Sequence, residues 1–179
     1  MADRRPPTRR SVISSALLGS LLIAGLTLGG CNVRPMYGTL PGGGTAMDEL
    51  RAIDIEAADD RVEQVVRNEL IFAFTGGGEA AAPRYRLRLF LTKLEADLGV
   101  EKFSDVPAAY LMRLSANFVL LDAASGKTLL TGKSFANASY DFSTQRFANV
   151  RAERDAEDRA ARVIADDIRT RIASYFAEQ

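Results

Sequence analysis

Apolar and polar residues alternate through the middle of the chain, and the alternation predicts four strands. Residues 50–55 alternate branched apolar with polar side chains, and residues 84–89 alternate strictly. Residues 110–120 and 128–140 supply two more strands, and residues 122–126 between them have the composition of a tight turn. Alternation of this kind is typical of strands that bury one face. The last two strands should therefore form an antiparallel hairpin.

The strand that begins at residue 84 changes the face on which its apolar residues fall. The apolar positions are first Tyr85, Leu87, Leu89 and Leu91, and then Leu94, Ala96 and Leu98. The second set is offset from the first by one position. Such an offset is what one extra residue in a strand produces, so the sequence predicts a β-bulge within residues 90–93.

Residues 60–74 have the period of a helix. Their apolar side chains recur every three or four positions, an aspartate pair precedes them and three glycines follow. Aspartate caps the free amides of a first helical turn, and glycine commonly ends a helix. We expect Phe72 and Phe74, which flank the apolar stripe, to be buried within the domain.

Residues 145–177 predict one long second helix. Its apolar stripe consists of small residues in the amino-terminal part of the helix, which we call its front, and of bulky residues in the carboxy-terminal part. Acidic residues precede arginines by four positions, the orientation that stabilises a helix surface. The expected pairs are Asp155 with Arg159, Asp158 with Arg162, and Asp167 with Arg171. We interpret this dense set of charges as a solvated surface and not as a metal or catalytic site.

The elements follow one another in the order β-α-β-β-β-α. Each strand has one apolar face and each helix one apolar stripe, so the helices should cover one side of a sheet. The predicted fold class is α+β, with a single mixed, largely antiparallel four-stranded sheet and two helices on one face.

The beginning of the chain has the pattern of a bacterial export signal. Four arginines precede a segment without charge, residues 11–33, which contains the only cysteine of the chain, Cys31. Leu28-Gly29-Gly30-Cys31 resembles a lipobox, which implies cleavage before Cys31 and a mature amino terminus with S-diacylglycerol and N-palmitoyl groups. An uncleaved membrane helix and ordinary secretory cleavage remain as alternatives. The arginine pair at residues 9–10 leaves both the general and the twin-arginine export routes open.

These features divide the chain into three parts. Residues 1–30 are predicted to be a lipoprotein signal peptide, residues 31–47 a lipidated, flexible tether rich in glycine and proline, and residues 48–179 a folded α+β domain. A chain of this length after cleavage can bury one sizeable core.

Composition narrows the chemistry that the domain can perform. The chain has no histidine, which excludes Ser-His-Asp and Cys-His catalysis and histidine metal sites. Neither glycine triplet has the spacing of a phosphate loop or a dinucleotide fingerprint, so no cofactor is expected. With 23 basic and 23 acidic residues, the chain lacks the positive charge typical of nucleic-acid binding. The composition therefore favours a protein that is not an enzyme.

Basic residues along the strand that starts at residue 84 form the candidate binding site. The residues are Arg84, Arg86, Arg88 and, further on, Lys93. Arginine binds phosphate and carboxylate through two parallel hydrogen bonds, so a basic strip beside apolar groups fits an anionic amphiphile such as a glycolipid. Lys133 of the last strand is expected to add to this face. The alternative is that the arginines form the solvated side of a half-buried sheet.

The chain also resembles the LptE family of lipopolysaccharide-assembly lipoproteins. The residues that carry the resemblance are Cys31-Asn32-Val33-Arg34-Pro35-Met36-Tyr37-Gly38, Val66-Arg67-Asn68-Glu69-Leu70 in the first helix, Ala138-Ser139-Tyr140-Asp141 at the end of the last strand, and Ala156-Glu157-Asp158-Arg159-Ala160-Ala161 with Ala165-Asp166-Asp167-Ile168 in the last helix. Their conjunction and their order carry the case, since no single segment is diagnostic.

The resemblance implies a protein without enzymatic activity that is anchored to the outer membrane on its periplasmic side. LptE-like proteins sit inside the β-barrel of LptD, help it assemble, and bind lipopolysaccharide on its way to the cell surface. The resemblance assigns no individual lipopolysaccharide-binding residue, so Arg84, Arg86, Arg88 and Lys93 rest on the strand pattern alone.

Two other functions fit the same sequence. One is an accessory lipoprotein of an ABC-type phospholipid transport system, which would be anchored in the same way. The other is a periplasmic hydrolase that uses a lysine-activated serine or paired carboxylates, the nucleophilic and acid–base chemistry that remains without histidine.

Overall fold

A computed structural model describes residues 43–100 and 107–179. The elements are α1 (Ala46–Arg51), β1 (Ile53–Ile55), α2 (Arg61–Thr75), β2 (Tyr85–Val100), β3 (Pro107–Asp122), β4 (Thr128–Asp141) and α3 (Arg146–Ala177). The predicted signal peptide, Cys31 and the tether as far as residue 42 lie outside the described residues.

The sheet confirms the predicted fold class. Its four strands lie in the order β1-β2-β3-β4. β1 is parallel to β2, and the pairs β2–β3 and β3–β4 are antiparallel. The two long helices pack on the sheet, α2 on β1 and β2 and α3 on β3 and β4. The predicted order of long elements is therefore correct, and the short helix α1 is an addition to it.

The predicted first strand is partly wrong, because its beginning is helical. α1 extends to Arg51 and the strand begins only at Ile53. Thr45 and Asp48 form a capping box in which the Thr45 amide donates to Asp48 Oδ2 at 2.8 Å and the Asp48 amide donates to Thr45 Oγ1 at 3.3 Å. Two reciprocal bonds of this kind stabilise a helix start. Leu50 is buried as part of this helix.

The predicted bulge within residues 90–93 is also wrong. β2 and β3 pair without interruption from Tyr85 opposite Asp122 to Leu98 opposite Ala109. The irregularity of the sheet lies instead between Leu120 and Leu121, in the pairing of β3 with β4. Because β2 continues with unchanged alternation, the offset apolar residues point to the face opposite Leu87 and Leu89.

The ends of α2 agree with the sequence signals that predicted this helix. The Glu63 amide donates to Asp60 Oδ1 at 2.8 Å, and Gly76 ends the helix in the left-handed conformation at φ 64°. The expectation for its aromatic residues is half right. Phe74 is buried in the core, whereas 66% of Phe72 is exposed.

The core lies between the helices and one face of the sheet. Alternate residues of β3 are fully buried there, namely Met112, Leu114, Ala116, Phe118 and Leu120. The alanine-rich front of α3 packs against β4, whose facing residues Ala136 and Ala138 are also small. Small residues on both sides let the backbone of a helix approach a sheet closely, which explains why the stripe of α3 begins with alanines.

Gly132 of β4 provides a test of this packing. It lies opposite Phe118, and a Cβ atom added to it would overlap the Phe118 ring. We expect Gly132→Ala to lower the free energy of unfolding by about 1–3 kcal/mol, as overpacked cores do. Urea denaturation would measure the change. Ser139→Ala, on an exposed position of the same strand, should stay within about 0.5 kcal/mol of the natural protein, and equal losses in the two variants would contradict the packing described here.

Candidate functional site

The long strands leave one face of the sheet without a helix in the described part of the chain. We call this surface the open face. It is formed by Arg86, Arg88, Phe90, Thr92, Leu94, Ala96 and Leu98 of β2, by Leu111, Arg113, Ser115, Asn117 and Val119 of β3, and by Thr131, Lys133, Phe135, Asn137 and Ser139 of β4. The residues between them on each strand point toward the helices.

The open face carries large apolar side chains that no other described residue covers. Exposure is 58% for Phe90, 61% for Leu94 and 66% for Phe135, and Leu98 is exposed as well. An exposed apolar patch of several large residues usually marks an interaction site. These side chains are therefore available to a lipid or to a partner protein.

Cations lie among and beside these apolar residues. Arg86 lies opposite Asp54 of β1, and Arg88 Nε lies 2.8 Å from Glu56 Oε1. Further along the sheet, Arg113 Nε donates to Asn137 Oδ1 at 3.3 Å, and Lys133 lies opposite Asn117. Among the described residues, neither Arg113 nor Lys133 has an acidic partner. This half of the open face is therefore apolar and positively charged.

The predicted basic strip does not form one surface. Arg86 and Arg88 lie together on the open face, but Lys93 points toward the helices. Arg84 precedes β2, and its Nη2 lies 2.7 Å from Glu49 Oε2 of α1. This hydrogen bond to Glu49 raises the pKa of Arg84 above its ordinary value.

Lys93 belongs to an ion-pair cluster that joins β2, α2 and α3. Its Nζ lies 2.7 Å from Glu157 Oε1 and 2.9 Å from Glu153 Oε1. Arg61 of α2 bonds the second oxygen of Glu157 and lies 3.0 Å from Asp158 Oδ1. Glu157 is almost completely buried, so these partners supply the interactions that water would otherwise give its carboxylate.

A cavity of about 300 Å³ opens beside this cluster. It is lined by Asp60, Arg61, Val62, Leu91, Lys93, Leu114 and Glu157. Arg61, Lys93 and Glu157 at its wall belong to the ion-pair cluster, and Asp60 accepts a hydrogen bond from the Glu63 amide. Asp158 is engaged here with Arg61, and not with Arg162 as the helix pattern predicted. The other two predicted pairs of α3 are confirmed, with Asp155 2.8 Å from Arg159 and Asp167 2.9 Å from Arg171.

Two further observations concern the described residues as a whole. No three histidine, cysteine, aspartate or glutamate side chains lie close enough to hold a metal ion within residues 43–100 and 107–179. In the same ranges, no helix combines the length and the hydropathy needed to cross a membrane.

Comparison with known proteins supplies the family. The profile of the LptE lipopolysaccharide-assembly family matches residues 50–172, which is more than half of the chain. The chain belongs to the LptE family. No curated protein sequence matches it.

Solved structures share the fold of this LptE-family chain. A candidate lipoprotein of Caulobacter crescentus CB15 is 24% identical with a TM-score of 0.63, covering 75% of this chain and 97% of its own. Rare lipoprotein B of Shewanella oneidensis is 17% identical with a TM-score of 0.51, covering 69% and 92%. Lipoprotein B of Nitrosomonas europaea is 13% identical with a TM-score of 0.54, covering 82% and 92%. The profile match confirms the resemblance at the level of the family, and these structures share the fold.

The sequence interpretation missed part of the open face of this LptE domain. The expected bulge places Leu94 and Leu98 on the buried side and gives no position for Phe90. The signal that could have placed these residues is their spacing from Arg86 and Arg88. Side chains at every second position of a strand without a bulge share one face, so all of them lie on the face of the arginines. The contact between Arg61 and Glu157 had no sequence signal, because 96 residues separate the two.

The ion-pair cluster generates a pH prediction. Hydrogen bonding to Glu157, followed by that to Glu153, raises the pKa of Lys93 from its ordinary value of 10.5 to about 12. A raised pKa means that this stabilisation is complete below about pH 10.5 and is lost as the pH rises through about 12. We expect Glu157→Gln to move the pKa of Lys93 back toward its ordinary value and the alkaline loss of stability to lower pH. NMR titration of the lysine side chains, combined with urea denaturation at each pH, would measure both changes. Glu178→Gln, at the exposed end of the chain, should change neither, and an unchanged Lys93 titration in the Glu157 variant would contradict the assignment.

Proposed function

We propose that this LptE-family chain is an outer-membrane lipoprotein that plugs the barrel of an LptD-type partner, helps it assemble, and takes part in lipopolysaccharide transport. The observation that carries the proposal is the open face of an LptE fold, where exposed apolar side chains lie beside cations that have no acidic partner within residues 43–100 and 107–179. The family match supports the assembly role, and the open face supports contact with an anionic amphiphile.

Lipopolysaccharide presents phosphate groups beside acyl chains. Arg113 and Lys133 have no acidic partner among the described residues and can bind phosphate, while Phe90, Leu94 and Phe135 offer apolar contact nearby. Hydrogen bonds between charged groups are stronger than neutral ones, which favours phosphate at these positions. Toward β1 the positive charge is balanced, because Arg88 pairs with Glu56 and Arg86 lies opposite Asp54. Within the strip predicted from the sequence, Arg84, Arg88 and Lys93 each have an acidic partner, so the proposal rests mainly on Arg113 and Lys133.

A partner barrel would meet the same fold through surfaces that the helices leave free. The interior wall of a large barrel is polar, and the open face offers Asn117, Asn137, Ser115 and Ser139 between its apolar residues. Cys31 lies outside the described residues, and its lipid groups are part of the proposal. Two or more acyl chains anchor a protein stably, whereas one chain anchors it only weakly.

Removing the two unpartnered cations tests the lipid contact. We expect Arg113→Gln combined with Lys133→Gln to weaken binding of purified lipopolysaccharide by about 100-fold or more, because two charged hydrogen bonds of about 1.5–3 kcal/mol each are lost and about 1.4 kcal/mol corresponds to 10-fold. The matched control is Arg151→Gln with Arg154→Gln, which removes the same charge from an exposed part of α3. Equal loss of affinity in the two double variants would show that net charge, and not the open face, governs binding.

Removing the anchor tests the proposed location. A Cys31→Ala chain should leave the outer-membrane fraction, because the thiol that receives the lipid is gone, and should still bind the barrel when the two are mixed. Membrane fractionation followed by affinity purification with the barrel would measure both properties. Membrane attachment that persists without Cys31, together with a failure to recover any large barrel, would refute this function. Recovery of an ABC-type transporter instead would favour a phospholipid transport role.

A further inference from the structure

The β2 edge of the sheet has no neighbouring strand over most of its described length. β1 pairs only with Tyr85, Arg86 and Leu87. Leu87 bonds toward β1, since its carbonyl accepts from the Glu56 amide at 3.0 Å. Backbone groups alternate in direction along a strand, so Leu89, Leu91, Lys93, Glu95 and Asp97 also point their N–H and C=O groups to this side. A long exposed edge of this kind is a template for a further strand.

The sequence of β2 identifies the strand that fits. We propose that the β2 edge pairs with the same edge of a second copy of this chain, in antiparallel orientation, with Leu94 opposite Leu94 at the twofold axis. In this register Phe90 lies opposite Leu98 of the second copy, and Leu98 lies opposite its Phe90. All three residues are exposed in the single chain. Their pairing joins the apolar parts of the two open faces into one continuous stripe.

Charges select the same register. With Leu94 at the axis, Lys93 lies opposite Glu95 of the second copy, and this pair occurs twice by symmetry. Opposite charges directly across two strands stabilise the pairing, and like charges oppose it. Moving the axis to Lys93 would place two lysines face to face, and moving it to Glu95 would place two glutamates face to face. Either shift would also separate Phe90 from Leu98.

Both charged groups have bonding capacity left for this contact. Lys93 donates to Glu153 and Glu157, which uses two of its three ammonium hydrogens. Glu95 accepts from the Tyr140 hydroxyl at 2.8 Å through Oε2, and its second oxygen has no partner among the described residues. The intramolecular bonds therefore hold both side chains in place without consuming their capacity for a partner.

Cysteine cross-linking tests the register directly. Residues opposite each other in antiparallel strands have Cα atoms about 4.5–5.5 Å apart, which lies within the range that a disulfide bridges. In the full chain carrying Cys31→Ala, purified in a mild detergent, Leu94→Cys should form a covalent dimer under mild oxidation. Phe90→Cys alone should form no covalent dimer, because the two copies of residue 90 would lie about 27 Å apart at ~3.3 Å per residue. A mixture of Phe90→Cys and Leu98→Cys chains should cross-link. Cross-linking of Leu94→Cys no greater than that of Phe90→Cys would overturn the proposal.

A proline in the edge supplies an independent measurement. The N–H of Glu95 points away from β3. Glu95→Pro therefore removes a hydrogen-bond donor from the free edge without breaking a hydrogen bond to β3, and edge strands tolerate such a proline. Sedimentation of the same full chain should show loss of the dimer in Glu95→Pro and its retention in Glu95→Ala, which loses the same carboxylate. Circular dichroism would verify that both variants are folded. A monomeric parent chain, or a folded proline variant that still forms the dimer, would refute edge pairing.

Discussion

The unbroken pairing of β2 with β3 is the constraint on which the rest of the structure depends. Because no residue is inserted between Tyr85 and Leu98, every side chain of β2 keeps the face that the first residues set. Leu87 and Leu89 are buried under the helices for this reason, and Phe90 and Leu94 are exposed for the same reason. A single bulge would have exchanged the two faces beyond it. The apolar patch is thus a consequence of register.

Element lengths explain why the helices do not cover more of the sheet. The 32 residues of α3 span about 48 Å at ~1.5 Å per residue, close to the ~53 Å of a 16-residue strand. The buried residues of α3 extend from Ala156 to Phe176, whereas Phe147 and Val150 near its start are exposed. The 15 residues of α2 reach about 22 Å and leave the far half of β2 without its cover. Polar residues of α3 then meet Lys93, and the ion-pair cluster replaces an apolar core there.

Local signals in the sequence were sufficient for the long elements and their order. Asp60 and Gly76 mark the ends of α2, and alternation marks β3, because caps and periodicity depend on neighbours in the chain. The local pattern could not place the residues of the open face. An offset of apolar residues indicates either a bulge or a regular strand whose later apolar residues lie on the exposed face. The position of Lys93 on the helix side also depends on whether the strand contains a bulge. Its partners Glu153 and Glu157 lie at least 60 residues away, beyond the reach of any local rule.

In the described part of the chain, β2 carries both exposed apolar side chains and a free backbone edge. The two features together determine which strand can pair with it. Proteins usually protect a free edge by charge or by a short strand, and Lys93 and Glu95 place such charge on the β2 edge. When an oppositely charged strand approaches, the same two residues become attractive. The fold therefore resists pairing with arbitrary strands and accepts one whose charges and apolar residues are spaced like its own. In an LptE-family protein whose family role is assembly, such conditional exposure keeps the open face accessible to a matching partner while limiting indiscriminate aggregation.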